Sequence, residues 1–341
     1  MRSRPGAFAH RAGRRLGWTD DRLEYRSLGR SGLRVSAVGL GGNNFGRAGT
    51  ATETQDGTNE VVAAALDAGV NFIDTADIYG REYGLSETLL GEALRGRRDE
   101  VVIATKFGHA SLPSPLPAWG ARGSRRYIRL AVEGSLRRLQ TDWIDLYQLH
   151  TPDPATPIDE TIAALDDLVR EGKVRYLGHS NLSGWQIAEA ELVARELGAT
   201  RFVSAQNEYN LLSRGAEAEV LPAVRHFGLG FLPFFPLQNG LLTGKFRRDE
   251  QPADTRIMRQ RRHLVDDAPW DLLDRYRAFA EERGITMLEA TFGWLLAQPA
   301  MASVIAGTTR PEQIRQNAAA GSAWRPTAAE SDEISELFSG R

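Results

Sequence analysis

Asn71-Phe72-Ile73-Asp74-Thr75-Ala76-Asp77-Ile78-Tyr79-Gly80 is an apolar run with a carboxylate near its end, breaking into a loop that carries a tyrosine and a glycine. A buried strand has this form: a few apolar residues, a polar tip, then turn chemistry. The pattern puts Asp74 at the C-terminal tip of a strand and Tyr79 just beyond it. An aspartate there is most often a helix cap or a structural hydrogen-bonder, so the segment alone does not define a site. The remaining strands have to decide.

Upstream, 37–42 reads as a short apolar strand ending in glycines. Before it, 25–28 and 33–36 flank Gly29-Arg30-Ser31-Gly32 as the arms of a β-hairpin. Downstream the chain alternates. Strands are predicted over 101–106, 143–150, 174–180, 202–206, 230–236 and 302–307. Helices are predicted over 59–67, 86–94, 125–139, 157–172, 183–197 and 217–226, and after an irregular stretch at 238–269 over 271–283 and 287–296. Two further helices, 311–320 and 328–338, end the chain. Near-continuous apolar strands separated by helices call for a parallel sheet covered by helices. Eight such units at a spacing of roughly 30 residues fit a (β/α)8 TIM barrel preceded by a hairpin, an α/β fold. A doubly wound nucleotide-binding fold would need its glycine fingerprint at Gly39-Leu40-Gly41-Gly42-Asn43-Asn44, where the third glycine is missing and no helix follows at once.

The chain has 341 residues, 42% of them hydrophobic, and a formal net charge of −2. That length supports a sizeable core, and no linker divides it, so 23–341 is expected to be one barrel domain. The near-neutral charge gives no footprint for nucleic acid or an anionic membrane surface. There is no cysteine, which excludes disulfides and thiolate metal sites, and no metal site is expected. No apolar run approaches the roughly 20 residues of a membrane span. Residues 1–22 are rich in Arg, Gly and Ala without the apolar core of a secretory signal, and are expected to be a disordered tail. A cytoplasmic protein is the resulting expectation.

Polar side chains fall where the apolar strands end: Asp74, Lys106, His150, Ser180 with Asn181, and Gln206 with Asn207. In a barrel all these tips share one face. Helix capping explains Ser180 and Asn181 but not a lysine or a histidine, neither of which is a preferred N-cap. Lysine occurs only at Lys106, Lys173 and Lys245, which singles out the one on a strand tip. A tyrosine titrates near 10, and lowering it by about 2–3 units takes roughly 3–4 kcal/mol. An ammonium about 4 Å away supplies on the order of 4 kcal/mol at an effective dielectric near 20. Asp74 would hold Lys106 charged, and His150 could donate to a substrate oxygen. The set makes a proton donor beside a carbonyl, hence a reductase if a hydride source is near.

On these motifs the chain resembles the aldo-keto reductases. The resemblance runs from about Tyr25 to the last helix, through Asn71–Gly80 with Ser86-Glu87, Ile103–Lys106, Asp145–His150, Gly178–Asn181, Gln206–Asn210, Pro236–Lys245 and Gly307–Asn317. It implies a barrel that binds NADPH, with NADH possible, and a tetrad of Tyr79 as general acid/base, Lys106 and Asp74 as its tuning pair and His150 as substrate orienter. It further implies Ser180, Asn181 and Gln206 on the nicotinamide carboxamide, Phe234 stacked on the ring, and Gly41 in the cofactor set. Pro236, Leu237, Asn239, Gly240, Leu242, Gly244 and Lys245 would wrap the pyrophosphate. Gly307, Thr309, Arg310, Gln313, Gln316 and Asn317 would hold the adenosine end, where a helix start at Pro311 offers free N–H groups to a phosphate. Three departures stand out. Phe234 replaces the usual tyrosine; Arg310 is a lone basic residue at the 2′-phosphate position; and Asn43-Asn44 stand where many members have tryptophan, which suggests a more polar substrate pocket. Asn44, His109 and Trp119 are candidate substrate contacts, and the arginine-rich helix at 125–138 is expected to be a solvated outer face. The expected reaction is reversible NAD(P)H-dependent reduction of small, polar, sugar-like aldehydes or ketones. The same resemblance admits an NADPH-binding regulatory subunit like the potassium-channel β subunits, or an NAD-dependent aldose dehydrogenase.

Overall fold

The computed structural model describes residues 23–110, 114–117, 119, 121–253 and 255–339; the expected tail at 1–22 lies outside them. The hairpin forms where the turn chemistry put it: β1 (Tyr25–Ser27) pairs antiparallel with β2 (Arg34–Ser36). Gly29 turns with φ +57, and a Cβ there would meet Val203 O at 2.5 Å and Gly230 N at 2.6 Å, so only glycine lets the hairpin seat this closely.

The barrel strands follow as β3 (Val38–Gly41), β4 (Phe72–Asp74), β5 (Val102–Phe107), β6 (Ile144–Leu149), β7 (Val174–Ser180), β8 (Phe202–Glu208), β9 (Gly230–Phe234) and β10 (Val304–Gly307). Among the described residues they form one parallel sheet of eight in the order β10-β3-β4-β5-β6-β7-β8-β9. The two ends meet through Phe231, whose N–H donates to Ala300 O at 2.8 Å and whose carbonyl accepts from Ala302 N at 3.0 Å, so the cylinder is nearly closed. Helices join successive strands and cover the outside, including Gln55–Asp67, Arg125–Leu139, Ile158–Arg170 and Pro311–Ala323. This is the (β/α)8 TIM barrel with an N-terminal hairpin that the apolar strand pattern called for.

The core has two layers of action. A large cluster binds helices to the outer faces of the strands. A smaller one fills the lower lumen, where Phe72, Val102, Ala104, Leu146, Leu232 and Ile305 meet Leu28 and Val35 of the hairpin. The hairpin therefore plugs the end of the barrel at which strands begin. The opposite end, where strands finish, stays open, and register brings its tips level: Gly307 beside Gly41, Gly41 beside Asp74, Lys106 beside Gln148 and Ser180 beside Gln206. Among the described residues no helix is long and apolar enough to cross a membrane.

Candidate active site

At the open end, Lys106 is wholly buried, an arrangement that a lone ammonium would not survive. Its Nζ donates to Asp74 Oδ2 at 2.6 Å, to the Thr75 carbonyl at 3.0 Å and to the Tyr79 hydroxyl at 3.3 Å. Burial opposes its charge, but Asp74 and Tyr79 outweigh that and hold its pKa above the ordinary lysine value. Asp74 is engaged on both oxygens, since Oδ1 accepts from Gln206 Nε2 at 3.0 Å and from Gln148 Nε2 at 3.2 Å.

Tyr79 differs from expectation in one respect. The lysine is where the spacing put it and pulls the phenol pKa down, yet burial pushes it up further, and the net direction is upward. One neighbouring cation supplies the expected attraction, but desolvation of the phenolate exceeds it. At neutral pH the phenol is protonated, the state a proton donor needs.

His150 packs edge-on to the Tyr79 ring with centroids 6.0 Å apart. Burial, with Lys106 and His109 adding, holds its pKa well below the usual histidine value, so the imidazole is neutral. Its Nδ1 is buried and has no hydrogen-bond partner among the described residues. His109 stands edge-on to it at 4.7 Å.

Behind them Lys106 stays out of the wall, while Asp74, Tyr79, His109 and His150 border a cavity of about 1130 Å³, more than a small carbonyl compound fills. Its wall runs from Asp74, Tyr79, His109 and His150 past Ser180, Asn181, Gln206 and Phe234. It continues along Pro236, Leu237, Asn239, Gly240 and Lys245, and ends at Gly307, Thr309, Arg310, Gln313, Gln316 and Asn317, with Gly41 and Asn44 on the side of the first barrel strand. Asn181 is set by a left-handed backbone (φ 63) and donates to the His150 carbonyl at 2.9 Å. Gln313 accepts from the Thr309 N–H at 2.9 Å, at the start of the helix Pro311–Ala323.

Three expected residues are placed elsewhere. Trp119 is 80% exposed on the outer surface, its ring under the Arg126 guanidinium at 4.3 Å, and does not line the cavity. Trp119 has a left-handed backbone (φ 45), and no motif in the sequence signals that conformation. Leu242 is packed into the core, because the short 3-10 stretch Gln238–Thr243 turns its apolar side inward. Gly244 supplies a turn (φ 84), and its carbonyl accepts from Arg277 Nη1 at 3.0 Å.

A cavity of this volume has room for a dinucleotide. Lys245 lies over the Phe246 ring at 5.3 Å, is held below the ordinary lysine pKa by burial, and meets no carboxylate among the described residues. Gly240 turns with φ +107, a backbone that side chains rarely adopt, and its bare Cα faces the Lys245 side chain, whose Cε would lie 2.9 Å from a Cβ there. A partly desolvated cation beside a bare backbone turn suits a phosphate.

Two groups at the site carry little sign of their place in the sequence. Gln148 braces Asp74 from near the end of β6, and its only signal was its place as a polar residue between the apolar Tyr147 and Leu149. Arg47, Arg256, Arg259 and Arg261 line the cavity from loops and short helices that carry no periodic pattern.

A model of the aldo/keto reductase family matches residues 37–338. The chain is 41% identical over 301 residues to YrpG, an uncharacterized oxidoreductase of Bacillus subtilis, covering 86% of this chain and 89% of that protein. It is 36% identical over 312 residues, 86% of this chain and 90% of the relative, to a probable voltage-gated potassium channel subunit beta of Oryza sativa subsp. japonica. It is 33% identical over 308 residues, 86% of each chain, to an L-glyceraldehyde 3-phosphate reductase of Escherichia coli. With a barrel of this topology and a buried lysine joined to aspartate and tyrosine at its open end, the chain belongs to the aldo-keto reductase family.

Proposed function

We propose that the protein is an NAD(P)H-dependent oxidoreductase that reduces small polar aldehydes or ketones to alcohols, with NADPH the favoured cofactor. One observation carries the reading: Lys106 Nζ reaches both Asp74 and the Tyr79 hydroxyl, which with neutral His150 line a cavity whose volume has room for a dinucleotide. When bound, the reduced nicotinamide supplies the hydride. Ser180, Asn181 and Gln206 would hold its carboxamide, Phe234 its ring face, Lys245 the pyrophosphate, and Arg310 with Gln313 the adenosine end.

The side chains present do the proton work. Tyr79 gives its hydroxyl proton to the carbonyl oxygen as negative charge develops there, and Lys106 steadies the phenolate left behind. Asp74 keeps Lys106 charged and aimed, itself fixed by Gln148 and Gln206. His150, neutral, donates a hydrogen bond to the same substrate oxygen, which avoids placing a second cation beside Lys106. Run in reverse, the phenolate takes the proton of an alcohol, so the reaction is reversible. Tyr79→Phe keeps the ring and removes the proton. Its kcat for NADPH oxidation with a panel of aldehydes is expected to fall by about 10²-fold or more. Unchanged turnover would sink the assignment.

The likeness to a potassium channel subunit beta supports a second reading, a dinucleotide-binding regulatory subunit. NADPH binding with negligible turnover across a broad carbonyl panel would favour it. Rates in both directions with NAD and NADP would separate either reading from an aldose dehydrogenase.

A further inference from the structure

Residues on the loops after β3, β4 and β5 make up the part of the cavity wall that carries Tyr79, and His109 comes from the third of these loops. Register sets its place. Phe107 lies beside Leu149, and the His150 N–H donates to the Phe107 carbonyl at 2.8 Å, so the chain just past β5 runs alongside the chain just past β6. Gly108 turns with φ +80. Thr151 clamps that turn, its hydroxyl donating to the Gly108 carbonyl at 3.1 Å and accepting from the Ala110 N–H at 2.9 Å. Arg122 donates to the His109 carbonyl itself. With the backbone pinned on both sides, the imidazole stands edge-on to His150, centroids 4.7 Å apart, and both rings face the cavity.

Other polar side chains of these loops are engaged within the protein. Asn44 Nδ2 donates to the Thr308 carbonyl at 3.5 Å, and Thr50 Oγ1 donates to the Arg47 carbonyl at 2.9 Å. His150 Nδ1 is buried without a partner among the described residues, which leaves Nε2 to meet a substrate. That nitrogen serves the carbonyl oxygen as Tyr79 protonates it. The adjoining imidazole of His109 is then placed for the next oxygen of the same molecule. Burial, with Arg122 adding, holds His109 below the usual histidine pKa, so at neutral pH it carries one N–H and one lone pair and can meet a hydroxyl either way. A hydroxyl on the carbon next to the carbonyl can bring its oxygen within a hydrogen-bond length of the carbonyl oxygen, a separation that two touching rings serve together.

We propose that His109 is a specificity-determining residue, hydrogen-bonding the hydroxyl of a 2-hydroxy aldehyde or ketone while Tyr79 and His150 hold its carbonyl oxygen. The proposal rests on the reductase reading above and narrows its substrate class to carbonyls with a hydroxyl on the neighbouring carbon. An analogue without that hydroxyl leaves the imidazole facing an apolar group, and the unmade hydrogen bond is the source of discrimination.

Aldehydes matched in shape test it with NADPH: 2-hydroxypropanal against 2-methylpropanal, and 3-hydroxypropanal against butanal. The expected kcat/KM is at least about tenfold higher for the hydroxylated member of the first pair and within about threefold in the second. His109→Ala should lower the first ratio about tenfold, chiefly through KM, and comparing variant with natural protein cancels the intrinsic reactivity of each aldehyde. His109→Gln, whose amide also donates and accepts, should restore part of the ratio, which lost ring packing would not allow. A first ratio near one in the natural protein overturns the proposal. So does an equal loss on both members in His109→Ala and His109→Gln, which would leave His109 only packing against His150. NADPH affinity, read by fluorescence titration without aldehyde, should stay within about twofold in both variants; a loss as large as that on 2-hydroxypropanal would assign His109 to the dinucleotide instead. Reduction of all four aldehydes without preference defeats this inference alone, whereas reduction of none defeats the reductase reading with it.

Discussion

Asp77 lies two residues before the phenol, buried, with Oδ2 accepting the Tyr83 hydroxyl at 2.7 Å and Oδ1 without a partner among the described residues. Burial, with Glu87 adding, pushes its carboxyl up to about 7, against the pull of Tyr83, Arg138 and Arg122. The folded state thus holds a proton that the unfolded chain releases near its ordinary 3.8. Stability contributed by that proton is full below the lower value and is lost as pH rises through about 7, on the order of 4 kcal/mol in all. Asp77→Asn keeps an acceptor for Tyr83 and cannot ionise. Its stability advantage over the natural protein should grow by about 2 kcal/mol between about pH 5.5 and about pH 8 in urea titrations. An advantage that stayed flat or shrank with pH would refute this account. The same desolvation governs Tyr79, and it explains why spacing along the chain located the phenol and its lysine yet misjudged the direction in which the phenol is shifted.

At the scale of elements, the stretch after β9 does work that its sequence conceals. It read as irregular, and it contains the short helices Arg256–Gln260 and His263–Asp266. Helices of one turn show no apolar periodicity and cannot stand alone, so packing decides their form. Here Leu241, Phe246, Ile257 and Val265 make a separate small core. That core holds Arg256 and Arg261 over the cavity. Ile257→Ala should cost about 2–5 kcal/mol at this site. The expected outcome is faster amide exchange across 256–266 with barrel-strand amides unchanged, measured by hydrogen exchange; uniform acceleration throughout the barrel would count against an independent unit. Regular elements were far more legible. The helix Arg125–Leu139 and β7 begin and end where their patterns predicted, while the helix Gln55–Asp67 starts earlier than its apolar rhythm, since Thr54 caps a polar first turn by accepting from the Gly57 N–H.

For the whole molecule, the two ends of the cylinder divide stability from chemistry. Leu28 is fully buried in the lower lumen, at the far end from Tyr79. Leu28→Ala should lower unfolding free energy by about 2–5 kcal/mol and leave kcat near its original value. A fall in the urea midpoint together with a comparable fall in kcat would show that the ends are coupled. The division also accounts for what the sequence disclosed. Strand tips at the working end carry a lysine and a histidine that capping does not explain, so Lys106 and His150 stood out, and Asp74 gained meaning beside them. Gln148 did not, because its purpose appears only when neighbouring strands bring it beside Asp74. Trp119 has a left-handed backbone that no local motif announces, and it stands exposed rather than on the cavity wall.

One carboxylate joins four staves of the cylinder. Asp74, from β4, is held by side chains of β5, β6 and β8. Slipping any of these staves by one residue would turn its contributor to the other side of the wall. Correct assembly and competent catalysis are thus inspected at a single point, so a misaligned barrel, even one compact enough to survive, would betray itself as an inert enzyme.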